Sequence, residues 1–269
     1  MAIVIDAHCH LAAEEFDEDI DDVITKGKEA GIAAAVVVPE HFGEFQKVLD
    51  LAERYPDFIA PCLGVHPVQG SNPNERSACL EDLDEANPFI EKHHDKIVGI
   101  GEVGLDFTPW YIKMPQNKED QRNVFIKQID IAKKYDLPVN VHSRSAGNHA
   151  ITLLKEQGVS KALLHAFSGR ASVAMEGVQA GYYFSFPPVI VRSEQKQKLL
   201  ARLPLDCMLL ETDSPACGPE KGERNVPANI TLSCEYIAQV KKVDKETVMR
   251  ITTENALKLF PKLKNFVKL

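Results

Sequence analysis

Apolar residues fall along the chain in short blocks, separated by longer stretches where apolar and polar positions recur with helical spacing. The blocks span 3–8, 33–38, 58–65, 97–103, 137–142, 162–165, 182–186 and 207–212. Ala34-Ala35-Val36-Val37-Val38 is apolar at every position, as suits a strand buried on both faces of a parallel sheet. Helical spacing is clearest over 120–134, where Val124, Phe125, Gln128, Ile129 and Ala132 share a face. Stretches 80–93 and 194–202 repeat it, and 230–239 and 246–259 close the chain. Gly31, Gly158 and Gly181 stand where helices should stop and strands begin. Eight strands with seven crossovers predict an α/β fold, a single (β/α)8 TIM-type barrel. A doubly wound open sheet, usually of fewer strands, is the rival. No Gly/Ser-rich or Pro-rich linker divides the chain, so 1–269 is expected to form one domain. The longest irregular segments, 67–77, 108–115 and 214–229, each follow a predicted strand. In a barrel they lie on the catalytic face.

A barrel places functional groups at the C-terminal ends of its strands. The sequence has them there. His8 and His10 end the first strand, Glu102 the fourth, His142 the fifth, His165 the sixth and Asp213 the eighth. His8 and His10 are two apart, so both point to one face and can grip one cation. Asp6 shares that face one step deeper, and Cys9 points away. Taken alone, the pair also suits a half-exposed strand end. Glu102 sits between apolar residues and glycines; a carboxylate there is paired with an arginine or ligates a metal. His142 and His165 each cap an apolar strand, and Glu211 lies one layer below Asp213 as a supporting acid. Singly these are ordinary polar strand ends. Together, four histidines and two to three acids match a two-metal hydrolytic site. Nitrogen and oxygen donors without thiolate suit zinc, manganese or magnesium. A Ser–His–Asp triad is the competing enzymatic reading, but no GxSxG elbow occurs.

Composition narrows the partners. The net charge is −8, from 39 acidic and 31 basic residues, which argues against coating nucleic acid with a basic face. Bound divalent cations would supply positive charge at one spot instead. The six cysteines form no CxxC pair, so free thiols and an intracellular setting, cytoplasm or nucleus, are expected. No apolar run is long enough for a membrane span, and the first six residues do not resemble a secretory leader. Nothing in the pattern calls for an obligate protein partner.

Six motifs carry a family resemblance. They are Ile5-Asp6-Ala7-His8-Cys9-His10-Leu11, Gly64-Val65-His66-Pro67, Gly101-Glu102-Val103-Gly104-Leu105-Asp106, Val141-His142-Ser143-Arg144, Leu164-His165-Ala166-Phe167-Ser168-Gly169 and Leu210-Glu211-Thr212-Asp213-Ser214-Pro215. In order and spacing the chain resembles the TatD family of metal-dependent deoxyribonucleases, in the amidohydrolase superfamily. Runs 61–69 and 255–261 are similar to the third animal group of TatD DNase domain-containing proteins. The resemblance implies two divalent cations, one on His8, His10, Glu102 and Asp213, the other on Glu102, His142 and His165. Glu102 would bridge them, and Asp213 would also act as general base. His66 and Arg144, with Arg224 and Lys221 on the loop after the last strand, would face the substrate. The implied substrate is DNA, at single-stranded 3′ ends. Departures from the family pattern fall at Val68, Ala216 and Val226, and they bear on substrate preference rather than on the metal set. An ester or amide hydrolase, for example an aminoacyl-tRNA deacylase, is the alternative on the same metal pair. A metal-stabilised barrel serving only as a partner surface is a third reading.

Overall fold

Backbone polar groups in the apolar blocks have no water to bond, so they pair with one another. The structure, a computed structural model, describes residues 3–70 and 73–267. In it eight strands form one parallel sheet: β1 (Val4–Cys9), β2 (Ile32–Val37), β3 (Ile59–Leu63), β4 (Gly99–Gly104), β5 (Val139–His142), β6 (Ala162–Leu164), β7 (Tyr183–Phe186) and β8 (Met208–Leu210). Each pairs with the next in chain order. Parallel neighbours need a crossover, and helices supply it: α1 (Ile20–Glu29), α2 (Phe45–Arg54), α3 (Leu83–His93), α4 (Pro115–Lys134), α5 (Gly147–Glu156), α6 (Ala171–Gln179) and α7 (Glu194–Arg202). α8 (Ile230–Lys241) and α9 (Lys245–Leu259) follow β8.

The sheet returns on itself, which excludes the open-sheet rival. The Asp213 N–H donates to the His8 carbonyl at 2.9 Å, and the His10 N–H to the Ser214 carbonyl at 2.8 Å. Between these bonds and the start of β8 the seam is closed by a side chain. The Thr212 N–H donates to Asp6 Oδ1 at 2.9 Å, and Thr212 Oγ1 lies 2.6 Å from Oδ2. This is why β8 ends at Leu210 and not at residue 212: Thr212 bonds a carboxyl in place of a strand carbonyl. β3 is likewise shorter than 58–65, and His165 sits just beyond β6. The helix expected over 120–134 begins at Pro115, where Asn117 Oδ1 accepts the Met114 N–H at 2.9 Å.

Strand alternation sorts the core into two layers. Ala34, Val36, Ala60, Cys62, Leu163 and Leu209 cluster inside the barrel with Phe260 and Leu263. Their strand neighbours Ala35, Val37, Ile59, Leu63, Leu164 and Leu210 pack outward with helix residues such as Val48, Phe125 and Leu154. The inner layer is tight beneath the mouth. A Cβ on Gly101 would lie 2.6 Å from Asn140 Cβ, and one on Gly64 would lie 2.7 Å from Val103 Cγ1. Glycine lets β3, β4 and β5 approach there. α9 fastens the seam from below: Thr253 Oγ1 donates to the Ile3 carbonyl at 2.9 Å and Asn255 Nδ2 to the Met208 carbonyl at 2.9 Å.

Candidate active site

The side chains at the strand ends converge. His8, His10, Glu102, His142, His165 and Asp213 are all buried, and the Glu102 carboxylate is their centre. Its Oε2 lies 3.5 Å from His8 Nε2 and 3.3 Å from His10 Nε2. Those nitrogens are 3.6 and 3.5 Å from Asp213 Oδ1 and 3.2 Å from each other. Four donors placed tetrahedrally about 2.1 Å from a zinc-like cation stand about 3.4 Å apart. This half of the cluster therefore has the spacing of a cation shell. Glu102 Oε1 faces the other half, with His165 Nε2 at 2.7 Å, His142 Nδ1 at 2.8 Å and His66 Nε2 at 3.5 Å.

The cluster is strongly polarised. Burial alone would raise Glu102 and Asp213, but the surrounding imidazoles hold both carboxyls well below the usual carboxylate range. Burial opposes the charged form of His142 too, yet Asp106 and Glu102 lift it to about 9. His165 has less compensation; burial and the charge of His8 push it down to about 3. It stacks on His8 with ring centroids 3.7 Å apart.

A second layer of residues aims the first. His8 Nδ1 lies 2.9 Å from Asn140 Oδ1. Asn140 Nδ2 donates to the Ala7 carbonyl at 3.0 Å, which fixes the amide with its oxygen toward His8. The His8 proton is then on Nδ1, and Nε2 keeps its lone pair for a cation. His142 Nε2 lies 3.0 Å from Asp106 Oδ2, and Asp106 Oδ1 accepts the Thr108 N–H at 2.9 Å. Burial works against ionised Asp106, but His142 outweighs it and brings it to about 2. Glu211 braces the loop beyond β6: Oε1 accepts the Ala166 N–H at 2.8 Å and Oε2 accepts from Ser185 Oγ at 2.5 Å. Burial raises Glu211 to about 8. Cys9 lies outside the cluster, its Sγ 3.6 Å from the Val36 carbonyl. Asp106 and Asn140 have no role in the sequence reading, although a polar residue inside the apolar run 139–142 is a visible signal for the second.

A funnel of about 1140 Å³ opens over the cluster. All three long loops reach it, through Gly70 and Glu75, Tyr111, and Pro215 to Cys217. Ser71 and Asn72 of the first loop lie outside the described residues. His66 and Arg144 line the funnel; Arg224 and Lys221 do not. Asp19 captures the Arg224 guanidinium at 2.9 Å through Oδ1, and the Glu15 carbonyl accepts from it as well. The cation expected to meet substrate is thus spent on the acidic surface beside the mouth.

Comparison with known sequences settles the lineage, because the sequence model described as TatD related DNase matches residues 5–261. The chain belongs to the TatD family. A human protein named deoxyribonuclease TATDN3 is 59% identical to this TatD chain over 266 residues, which covers 98% of this chain and 97% of that one. A Bacillus subtilis protein named uncharacterized metal-dependent hydrolase YabD is 36% identical over 265 residues, covering 96% and 99%. Among solved structures, the Escherichia coli TatD homologue YJJV matches with a TM-score of 0.84 at 28% identity, over 96% of this chain and 98% of that one.

Proposed function

We propose that this TatD chain hydrolyses phosphodiester bonds of DNA and shortens single strands from the 3′ end. The reading rests on the divided donor set, in which one carboxylate, Glu102, turns an oxygen to each of two groups. His8, His10, Glu102 and Asp213 would hold one divalent cation, and Glu102, His142 and His165 a second. Zinc, manganese and magnesium all suit such donors. Cations bound there supply Lewis acidity to the phosphate and acidify water. The chain's own residues do the rest. Asp213, ionised through neutral pH, accepts the proton of the attacking water. His66 is kept neutral by burial, and its Nδ1 lies 3.1 Å from both the N–H and the carbonyl of Val68. Its Nε2 faces the cluster, 3.5 Å from Glu102 Oε1, and in the tautomer protonated there it would donate to a phosphate oxygen. Arg144, exposed at the rim, adds positive charge. The loops from β3, β4 and β8 narrow the mouth, which favours a free strand end over a duplex.

The test uses labelled oligonucleotides with added Mg²⁺, Mn²⁺ or Zn²⁺. Linear single strands should shorten stepwise from the 3′ end, while circles of the same sequence survive. Rapid cutting of the circle would make the protein an endonuclease. Turnover of an aminoacyl ester with DNA left intact would favour the deacylase alternative.

A further inference from the structure

Lys196 is a buried cation that forms no ion pair among the described residues, with Glu211 and Asp213 acting on it only from a distance. It lies in α7, is 8% exposed and lines the funnel. Its Nζ donates to the Ala166 carbonyl and, at 3.4 Å, to the Phe167 carbonyl. Among the described residues no carboxylate comes within 4.0 Å of it. Its neighbour Lys198 behaves as a surface lysine, 78% exposed and paired with Glu194 at 3.3 Å. Burying an unpaired ammonium is costly, so a fold that keeps one in a ligand cavity gains when an anion arrives.

Position indicates which anion. The funnel wall from the loops after β1, β2 and β3 carries Glu14, Glu15, Glu40, Glu44 and Glu75. Lys196 and Arg144 stand on the other side, near the ends of β5 and β6. Arg144 also forms no ion pair among the described residues. A polyanion entering this funnel is repelled by one wall and held by the other. The ammonium is also fixed in place. Ala166, with φ of 41°, gives its carbonyl to Lys196 and its N–H to Glu211. Among the described residues Lys196 makes no hydrogen bond to a side chain of the donor cluster, although the charge of Asp213 reaches it.

We propose that Lys196 and Arg144 form a second phosphate subsite, which holds the phosphate adjacent to the scissile one. This rests on the phosphodiesterase reading above. It adds that the substrate carries two successive phosphates, and that the nucleoside between them spans from the donor cluster to Lys196.

The test is calorimetric binding of thymidine 5′-monophosphate and thymidine 3′,5′-bisphosphate to the metal-loaded protein. The wild type should bind the bisphosphate about tenfold more tightly. Lys196→Gln keeps a donor for the Ala166 carbonyl and removes the charge. It should erase that preference, leave monophosphate affinity within about twofold, and keep the wild-type metal content; Lys196→Arg should restore most of the preference. A wild type without the preference, or a Lys196→Gln variant that retains it, overturns the subsite. Equal weakening of both ligands places Lys196 on the scissile phosphate and also overturns it, as does loss of metal with the preference unchanged. Should Lys196→Gln not fold, Arg144→Gln carries the test. A neutral residue at that exposed rim position should cut the bisphosphate preference at least about threefold, and an unchanged preference overturns the subsite. Failure of the phosphodiesterase reading would look different: the wild type would leave oligonucleotides intact and still prefer the bisphosphate.

Discussion

Glu102 meets His8, His10, His66, His142 and His165 with two oxygens, and no neutral side chain can replace that. In Glu102→Gln one oxygen becomes an amide nitrogen, which does not ligate. Metal content by elemental analysis should fall below that of the wild type, and turnover should drop by about three orders of magnitude or more, with the melting temperature little changed. Near wild-type metal content and rate would remove Glu102 from the bridging position. Asn140 acts one step further out. Asn140→Ala frees the His8 ring from the tautomer that exposes Nε2. Metal affinity, measured by chelator competition, should fall about 10- to 100-fold. The strand-end ligands were legible in the sequence because each ends an apolar block. Asn140, Asp106 and Lys196 were not, because their partners are distant in the chain: His8 lies 132 residues from Asn140, and His142 lies 36 from Asp106. Lys196 and Lys198 look alike in sequence, two residues apart on a polar helix. Only the fold turns one inward.

Among the elements, the β1–β8 seam is where the barrel is least like a sheet. Burial raises Asp6 to about 7, from 3.8 in an unfolded chain. The folded state thus holds a proton that the unfolded state releases. The stability this contributes is full below about pH 4 and is lost as pH climbs to about 7. Asp6→Asn keeps an acceptor for the Thr212 N–H and a donor for Thr212 Oγ1, and it does not titrate. In urea melts of the chelated protein, the variant should gain on the wild type between pH 5 and pH 8; a constant difference would place the titration elsewhere. The eight strands were readable because strands covered on both faces are apolar throughout. The helices differ in signal: α6 buries only Ala174 and Gly177, too small to mark a face, whereas α1 and α2 carry apolar faces through Ile20, Val23 and Ile24 and through Phe45, Val48 and Leu49. Strand ends were misjudged where a side chain replaced the ladder, since Asp6 and Thr212 are 206 residues apart.

The whole molecule carries a net charge of −8, and on the proposed function it must draw in a polyanion. Its funnel resolves this locally, with two rim cations and whatever cations the donor set holds. Few phosphates are therefore neutralised. With Arg144 and Lys196 as the protein's contacts, log affinity for a single strand should fall against log salt with a slope near −1.4, at about −0.7 per contact. A slope several times steeper would mean a basic track elsewhere on the surface. Trp110 offers a direct reporter. It is the chain's one tryptophan, 71% exposed on the loop whose next residue, Tyr111, lines the funnel. An entering single strand should quench its emission, and Trp110→Ala should weaken binding by about 1 kcal/mol or more if a base stacks there. Unaltered emission at saturating oligonucleotide would send the strand past another loop.

Closure of the seam by His8, His10 and Asp213 also sets when this protein becomes capable of chemistry. Those residues lie near opposite ends of the chain and meet through the Asp213 N–H and the His10 N–H. A ribosome must release residue 213 before the first of the proposed cation groups has its fourth donor. A chain terminated before residue 213 never gains that seam, because the Asp213 N–H that bonds the His8 carbonyl is missing. Truncation ahead of that residue should therefore give fragments without the proposed cutting activity.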